Sequence, residues 1–477
     1  MPWSLGGIAI SRALTLLTTV ILARLLTPED FGVVALAMLA LTVVNVFSDV
    51  GLTSVLVVRQ DFDRRAQGTV LTMLLVSGAF FSAVLFALAP VAADVFDASR
   101  LTDVLRALAV LSFLSGFYWF YDMLLQRELA FRSRFISQIS RTVAYAVGAI
   151  VLAVLGAGVW SLVVGQLAGA VVLSVVLLAL APYRVRPTFE RPVAATALHE
   201  GQGFLLQAGA TTVQDNVDFL VVGRALGAEP LGAYSMAYRL SEVPYASIAD
   251  PIARVNFPAF ARMRHAGQDA TPAYLRALKL VALVTWPLGM ILSGAADPFT
   301  RAILGDKWLA MIGPLGVLGI WAAVRATETT VGWFVNAVGE ARRSGRLSIA
   351  LLVPFLPALV AGAELGGTTG VAWVVLGHLA VTIVLLAVLI HRRLDVSLRR
   401  QAAALRSLVI PAVGCWATAR LCSQPTAELA AGAALAIAVI AAAAVYLVLV
   451  LATDRELLGV AARELRRALK EAASSRA

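Results

Sequence analysis

The sequence is poor in charged residues and rich in apolar ones. Asp, Glu, Lys and Arg make up only 14% of the 477 residues, whereas 60% of the residues are hydrophobic. Soluble domains carry about 25% charged and about 45–50% apolar residues. A water-soluble fold cannot bury this much apolar surface. The composition therefore excludes soluble, secreted-globular and disordered proteins, and it predicts a protein that crosses a membrane many times.

Few residues are of the types that form disulfides or bind metals and nucleotides. The two cysteines, Cys415 and Cys422, lie seven residues apart in one apolar segment. On a helix this spacing is a rise of roughly 10 Å, which is too long for a disulfide. The four histidines are scattered, and no glycine precedes any of the three lysines, so a Walker A motif is missing. We expect no metal, no cofactor and no catalytic residue.

The formal net charge of +10 does not indicate a nucleic-acid partner. A nucleic-acid-binding protein concentrates its basic residues in one patch, whereas here they are spread over short loops between apolar runs. Membrane topology explains this distribution, and we expect no nucleic acid as a partner. The chain starts almost inside its first apolar run, without a preceding basic segment, so we also expect no cleaved signal peptide.

Fourteen apolar runs approach or exceed the ~20 residues that a membrane-spanning helix needs. The seventh, eighth and tenth are the most polar. The runs cover 3–24, 32–58, 68–93, 104–125, 135–155, 158–181, 203–224, 231–258, 274–295, 309–338, 347–363, 369–390, 404–421 and 427–452.

Positive charge alternates between two sets of loops. Loops after even-numbered runs, together with the C-terminal tail, hold 27 Lys and Arg residues, whereas loops after odd-numbered runs hold 7. Cytoplasmic loops carry the excess of Lys and Arg in membrane proteins. A miscounted run would invert the alternation at every later loop, and no inversion occurs. We therefore expect fourteen spans, with both termini in the cytoplasm.

The two halves of the chain form an internal repeat. A shift of 200 residues places Arg24, Leu26, Glu29 and Gly32 on Arg224, Leu226, Glu229 and Gly232. The first and seventh runs also share a polar helical face under the same shift. Six spans separate the repeats, and an even number keeps their orientation. The pattern predicts parallel repeats related by an axis along the membrane normal, with a cavity between them.

The sequence predicts an all-α polytopic membrane protein with about 14 transmembrane helices. The expected organisation is an N-terminal six-helix lobe (1–182), a cytoplasmic linker (183–202), a C-terminal six-helix lobe (203–393), transmembrane helices 13 and 14 (394–453) and a cytoplasmic amphipathic tail (454–477). Apolar residues recur every four positions in the tail, which indicates either a helix on the membrane surface or a solvated helix.

Twelve charged residues remain inside the expected spans once those near the span ends are assigned to loops. Each costs ~2.5–3.5 kcal/mol at mid-span, so each needs a wet cavity or a partner. Three pairs share a helix face through i,i+3 or i,i+4 spacing and either neutralise each other or contact substrate. These pairs are Arg239–Glu242, Arg325–Glu328 and Asp250–Arg254.

Arg12 and Arg141 have no acid at these spacings. They either pair between helices, with Asp49 or Asp122, or bind an anionic ligand. The candidate substrate-binding residues are Arg12, Arg141, Arg239, Arg254, Arg325, Gln207, Gln214, Asp215 and Asp218. Asp49 and Asp250 correspond in the repeat with one residue of slack, and they are candidates for proton or Na⁺ coupling, because burial can raise a carboxylate pKa into the working range.

Several segments resemble the polysaccharide transporter family, the Wzx-type oligosaccharide flippases of the multidrug/oligosaccharidyl-lipid/polysaccharide exporter superfamily. The first are 23–32 (Ala-Arg-Leu-Leu-Thr-Pro-Glu-Asp-Phe-Gly) and 49–52 (Asp-Val-Gly-Leu). The others are 126–132 (Gln-Arg-Glu-Leu-Ala-Phe-Arg), 158–162 (Gly-Val-Trp-Ser-Leu), 218–224 (Asp-Phe-Leu-Val-Val-Gly-Arg) and 231–234 (Leu-Gly-Ala-Tyr).

The resemblance implies a bacterial inner-membrane exporter. Its substrate would be an undecaprenyl-(pyro)phosphate-linked oligosaccharide, turned to the outer leaflet by alternating access for surface polysaccharide synthesis. Its partners would be this substrate, membrane lipids, and a glycan polymerase and glycosyltransferases of the same pathway. The acidic seventh span leaves open a cation-coupled multidrug exporter of the same superfamily. A membrane enzyme of glycan assembly is a third alternative, although the outward loops are short for catalytic groups.

Overall fold

The computed structural model describes residues 2–59, 61–394, 396–423 and 430–455, and these residues form helices and no β-strand. The prediction of an all-α polytopic membrane protein is confirmed. The first eight helices are α1 (Pro2–Leu25), α2 (Pro28–Asp49), α3 (Leu52–Val58), α4 (Arg64–Val95), α5 (Leu101–Arg127), α6 (Phe131–Val154), α7 (Val159–Leu180) and α8 (Arg191–Leu226). The others are α9 (Ala228–Pro244), α10 (Asp250–His265), α11 (Thr271–Gly294), α12 (Ala296–Phe299), α13 (Ile312–Ala337), α14 (Ala341–Leu394), α15 (Leu398–Cys422) and α16 (Ala431–Thr453).

Helices occupy all fourteen positions at which the sequence predicts a span. Within the described ranges, ten helices are long and apolar enough to cross a membrane. One of them, Ala341–Arg393, contains two expected spans, because Gly367 takes a positive φ of 57° and breaks the helix between them. The expected spans outside these ten are the first, seventh and eighth, which form α1, α8 and α9–α10.

The start of α2 follows directly from its sequence. Thr27 precedes the helix, and its hydroxyl accepts from the backbone N–H of Asp30, while the Asp30 carboxylate accepts from the N–H of Thr27. This reciprocal capping box satisfies two N–H groups that a helix leaves unpaired. Pro28 adds a φ already suited to the first helical turn. The helix begins at Pro28 and directs the following apolar residues into the core.

The eighth expected span is interrupted at a proline. α9 ends at Pro244, a π-helical turn covers Tyr245–Ala249, and α10 follows. Proline lacks the N–H that an uninterrupted α-helix needs and clashes with the preceding turn. The sequence predicts Pro244 as a point of flexion in this span, and the helix changes its hydrogen-bonding pattern directly after this residue.

The chain packs into two compact units, Met1–Gly232 and Ala233–Ala477. The core of the first includes Leu74, Phe120 and Leu173, on α4, α5 and α7. In the second, α15 and α16 pack on α11, and the Tyr446 hydroxyl donates to the Leu283 carbonyl at 2.9 Å. Packing thus groups α8 with the preceding helices. The sequence repeat instead starts the second lobe at residue 203. The domain boundaries derived from the repeat stay a prediction.

Helix boundaries recur at the spacing of the sequence repeat. α2 begins at Pro28 and α9 begins at Ala228, 200 positions later, and the preceding helices end at Leu25 and Leu226. The repeat therefore extends from residue identities to helix boundaries. The predicted amphipathic helix of the tail lies beyond Arg455, outside the described residues.

Candidate functional site

Helices α1 and α6 contact each other through polar side chains. The hydroxyl oxygens of Ser11 on α1 and Thr142 on α6 lie 3.5 Å apart. Thr15, Thr18 and Thr19 each donate at 2.8 Å to the carbonyl one turn earlier in α1. These four hydroxyl groups of α1 thus have partners within the protein, and Arg12 is the charged residue beside them.

Helices α1 and α6 run in the same direction. α2 and α5 are parallel, because Asn45 contacts Ser115 and, one turn later along both helices, Asp49 and Trp119 line one cavity. Short turns join α1 to α2 and α5 to α6, and in the topology predicted from the loop charges the chain reverses at each turn. The two reversals leave α1 and α6 parallel.

This arrangement brings Arg12 and Arg141 to the same side of the α1–α6 pair. Successive residues of a helix are rotated by about 100°. In two parallel helices that meet at Ser11 and Thr142, the residue after Ser11 and the residue before Thr142 therefore point the same way. Both arginines are exposed, and neither has an ion-pair partner among the residues whose side chains are described.

Asp122 and Asp49 do not pair with these arginines. The Asp122 carboxylate accepts from Arg134 Nε at 2.9 Å and Nη2 at 2.7 Å, across the turn between α5 and α6. Asp49 accepts from the Thr53 backbone N–H at 3.2 Å and from its hydroxyl at 3.0 Å. The proposed interhelical pairing of Arg12 and Arg141 with Asp49 or Asp122 is therefore wrong in this structure, because closer donors occupy both carboxylates.

A cavity of about 380 Å³ opens between α2, α3, α5 and α8. Its lining is Thr42, Asn45, Val46, Asp49, Gly51, Thr53, Trp119, Met123 and Ala208. Among the sequence candidates whose side chains the structure describes, Asp49 alone is in this lining. The sequence does contain the signal for others: Thr42, Asn45 and Asp49 stand at i, i+3 and i+7, which places them on one face of α2.

The short helix α3 closes this cavity at the end where α2 stops. Val50 and Gly51 take φ values of 48° and 74°, which end α2 and redirect the chain into α3. A Cβ on Gly51 would lie 2.4 Å from the Gly201 carbonyl oxygen, so α3 and α8 meet backbone to backbone. A side chain at Gly51 would force them apart.

An ion pair joins the far end of α3 to α8. Arg59 Nε donates to the two carboxylate oxygens of Glu200 at 3.1 and 3.0 Å, and the guanidinium Nη2 contacts the same carboxylate. The Arg59 guanidinium holds the pKa of Glu200 below its usual range, chiefly by this hydrogen bond. Both side chains are about one-third exposed, 35% and 33%, so water screens the pair in part.

The remaining sequence candidates are dispersed. Arg325 pairs with Glu328 at 3.7 Å, as predicted, and lies beside the rings of Tyr245 and Trp321. Arg239 is exposed, and its pairing with Glu242 or contact with substrate stays a prediction. Gln214 and Asp215 are half-buried and Asp218 is buried on α8. The side chains of Gln207, Asp250 and Arg254 lie outside the description.

Curated proteins of surface polysaccharide synthesis are similar in sequence. The lipopolysaccharide biosynthesis protein WzxC of Escherichia coli is 24% identical over 388 residues, which cover 80% of this chain and 77% of WzxC. The succinoglycan biosynthesis transport protein ExoT of Rhizobium meliloti is 27% identical over 339 residues, 71% of this chain and 68% of ExoT. The teichuronic acid biosynthesis protein TuaB of Bacillus subtilis is 26% identical over 335 residues, 68% of each chain.

Two solved structures of transporters and one family model also match this chain. The lipid II flippase MurJ in its inward closed conformation matches with a TM-score of 0.80 at 13% identity, over 95% of this chain and 98% of that chain. An inward-facing multidrug resistance MATE family transporter matches with a TM-score of 0.64 at 18% identity, over 83% and 96%. These likenesses give the fold. The family model described as polysaccharide biosynthesis protein matches residues 21–313, and the chain therefore belongs to the polysaccharide biosynthesis protein family.

Proposed function

We propose that this protein is a flippase for an undecaprenyl-(pyro)phosphate-linked oligosaccharide. It exports this precursor across the cytoplasmic membrane by alternating access, and the product is used for surface polysaccharide. The observation that carries the proposal is the placement of Arg12 and Arg141 on one side of two adjacent, parallel helices. The family and the names of the relatives support the same class of substrate.

The two arginines have the chemistry that a phosphate needs. A guanidinium group donates two parallel hydrogen bonds to a phosphate, whereas a lysine offers only a point charge. An unpaired arginine inside a membrane span is costly unless it faces water or an anion. A phosphate between Arg12 and Arg141 would neutralise both, while the polyprenyl tail stays in the bilayer.

The distribution of charge supports the proposed orientation. The excess of Lys and Arg in one set of loops indicates that both termini are cytoplasmic in a bacterial inner membrane. The protein would act on its substrate without covalent chemistry, so it is not an enzyme under this proposal. The proposed protein partners are the glycosyltransferases of the same pathway, which make the substrate, and the glycan polymerase, which uses it. Membrane lipids surround the protein and are the remaining proposed partner.

A second candidate function is cation-coupled export of small molecules. The position of Asp49 at the cavity lining favours it, because a carboxylate in a membrane cavity can take up a proton or bind Na⁺. Asp250, its equivalent in the repeat, would be the second coupling residue. This candidate predicts altered drug tolerance and normal polysaccharide when the gene is removed.

Deletion of the gene distinguishes the two functions. Without a flippase, cells should lose surface polysaccharide and accumulate the lipid-linked intermediate in the inner leaflet, and a plasmid copy should reverse both effects. Surface polysaccharide is measured on whole cells, and the intermediate is measured in extracted lipid. Normal polysaccharide and no intermediate in the deletion strain would contradict the flippase proposal.

A further inference from the structure

The cavity beside Asp49 contains hydrogen-bonding groups that the protein itself does not use. In the described part of the chain, Asn45 has no acceptor for its two amide N–H groups, and the Trp119 indole N–H has no acceptor either. Thr42 and Thr53 donate their hydroxyl protons to Met38 and Asp49, so each retains acceptor capacity. The lining therefore offers both donors and acceptors to a ligand.

The lining disfavours a phosphate, a lipid tail and a transition-metal ion, each for a different reason. Among the described side chains, the lining has one carboxylate, Asp49, and no lysine or arginine, so it repels a phosphate. A lipid tail would remove water from Asp49 and Asn45 without replacing their hydrogen bonds, which is unfavourable. A transition-metal site needs several His, Cys, Asp or Glu ligands, and no group of three such side chains occurs among the described residues.

A sugar ring fits the remaining chemistry. Each of its hydroxyl groups both donates and accepts, which matches the unused donors of Asn45 and Trp119 and the acceptors of Asp49, Thr42 and Thr53. The C–H face of the ring is apolar and packs on an aromatic face such as that of Trp119. The cavity volume of about 380 Å³ lies within the ~300–1,000 Å³ of small-molecule sites.

We propose that this cavity binds a sugar ring of the transported precursor, with Asn45 and Trp119 as donors and Asp49 as an acceptor. The inference rests on the proposed function and names the part of the substrate that the site contacts. Arg12 and Arg141 would contact the phosphate, and the cavity would contact the glycan. The protein would thus bind the substrate at two places. The two arginines would bind the phosphate of the lipid carrier, and the uncharged sugar would bind in the cavity.

Photo-crosslinking tests the site directly. The full-length protein carries benzoylphenylalanine in place of Met123, which lines the cavity, or in place of Val110, which is on the same helix and outside the lining. The probe is lipid-linked oligosaccharide from cells grown on [14C]glucose. We expect irradiation to attach radioactivity at position 123 and at least tenfold less at position 110. Equal labelling at both positions, or none at 123, would overturn the proposal.

Competition identifies the recognised group. Free oligosaccharide, released from the carrier by mild acid, should reduce labelling at position 123, and inorganic pyrophosphate should not. Competition by pyrophosphate alone would make the cavity a phosphate site and contradict the sugar assignment. Labelling by the free labelled oligosaccharide itself does not depend on flipping. If it occurs in a protein that fails to restore export, the sugar site stands and the flippase proposal falls.

Variants give the functional counterpart. Asn45→Leu and Trp119→Leu should each reduce labelling at position 123 and polysaccharide export at least tenfold, while Trp119→Phe retains the aromatic face and should lose less. Trp160→Leu, on α7 and outside the lining, is the matched control for loss of an indole. Membrane abundance is measured for every variant. Normal export by well-inserted Asn45→Leu and Trp119→Leu would overturn the sugar site and leave the flippase proposal intact.

Discussion

Gly32 on α2 and Gly232 on α9 approach each other's helix in a reciprocal way. A Cβ on Gly32 would lie 1.7 Å from the Ala228 carbonyl oxygen, and a Cβ on Gly232 would lie 1.8 Å from the Pro28 carbonyl oxygen. The four residues are two pairs at the 200-residue spacing of the repeat. In the proposed orientation this crossing lies at the outer ends of α2 and α9. Close approach of two backbones requires glycine at both positions.

Substitution of either glycine should separate the two helices. We expect Gly32→Ala or Gly232→Ala to reduce export at least tenfold, because the added methyl group overlaps a carbonyl that cannot move without its helix. Overpacking of this kind costs about 1–3 kcal/mol. Surface polysaccharide and membrane abundance are measured together. Gly203→Ala on α8, where no described atom lies within 4 Å of the added Cβ, is the control and should retain export. Normal export by Gly232→Ala would contradict the close contact.

The Arg59–Glu200 pair should keep α3 closed over the cavity. Glu200→Gln removes the charged acceptor and should speed labelling of a Met123→Cys reporter by a membrane-impermeant maleimide several-fold in inside-out vesicles. The native cysteines, Cys415 and Cys422, are first replaced by alanine. The double reversal Arg59→Glu with Glu200→Arg should restore slow labelling, since it restores opposite charges at the same positions.

The same reporter should respond to pH only under acidic conditions. Arg59 lowers the pKa of Glu200 in the folded protein. A lowered carboxylate pKa gives stabilisation that is complete above the unfolded value, ~4.3, and is lost as pH falls through the folded value. Labelling of Met123→Cys should therefore be constant between pH 5 and 8 after correction for the maleimide reaction itself. A change near pH 7 would show that another group controls closure.

Asp122 should matter for stability and not for substrate binding. Asp122 is 7% exposed and its carboxylate pairs with Arg134 through two hydrogen bonds. Asp122→Asn removes charge-assisted bonds worth about 1.5–3 kcal/mol each and should lower the thermal stability of the purified protein. Export per inserted molecule should stay within twofold of the wild type. A stable Asp122→Asn protein without export would instead give Asp122 a transport role.

The helices and the start of α2 were predictable because each follows from neighbouring residues in the sequence. The repeat was predictable because a comparison of the sequence with itself reveals it. Apolar runs of span length predict helices, and Thr27-Pro28-Glu29-Asp30 predicts where α2 begins. The 200-residue shift also identified Gly32 and Gly232 as equivalents. The shift could not reveal that their backbones touch, because a repeat relates positions without giving the packing between them.

The pairs and the cavity depend on packing between distant segments. Arg134 belongs to a loop by the positive-inside rule, which counts charges and cannot tell that this one reaches back to Asp122. Arg59 and Glu200 are 141 positions apart, and no local spacing connects them. Thr42 and Asn45 share a helix face with Asp49, but they are uncharged, so no cost of placing a charge in the membrane marks them in the sequence.

Asp49→Asn tests the coupling hypothesis. The Asp49 carboxylate accepts two hydrogen bonds from Thr53 and lines the cavity. If it binds the coupling cation, the variant should lose the part of export that depends on a proton or Na⁺ gradient and retain the rest. A structural carboxylate predicts an equal loss with and without the gradient. Export into everted vesicles, with and without an ionophore, measures the difference.

Arg12 and Arg141 should act as one unit. Two guanidinium groups that hold the same phosphate are not independent, because loss of either leaves the anion poorly held. We therefore expect Arg12→Ala and Arg141→Ala each to abolish export with normal membrane abundance, and the double variant to be no worse than either. Arg12→Lys should restore export only in part, since an ammonium group cannot form two parallel bonds.

Membrane abundance and surface polysaccharide in the deletion strain are the two measurements for these variants. Arg106→Ala, on α5 beside the Phe86 ring, is the matched control for loss of an arginine and should export normally. Two separate anion sites predict a different result: the export losses of the two single variants would multiply in the double variant. This comparison needs single variants that keep measurable export, so it is made with Arg12→Lys, Arg141→Lys and the double lysine variant. A well-inserted and fully active Arg12→Ala protein would remove the phosphate site from α1, and the flippase proposal would then lose the observation that carries it.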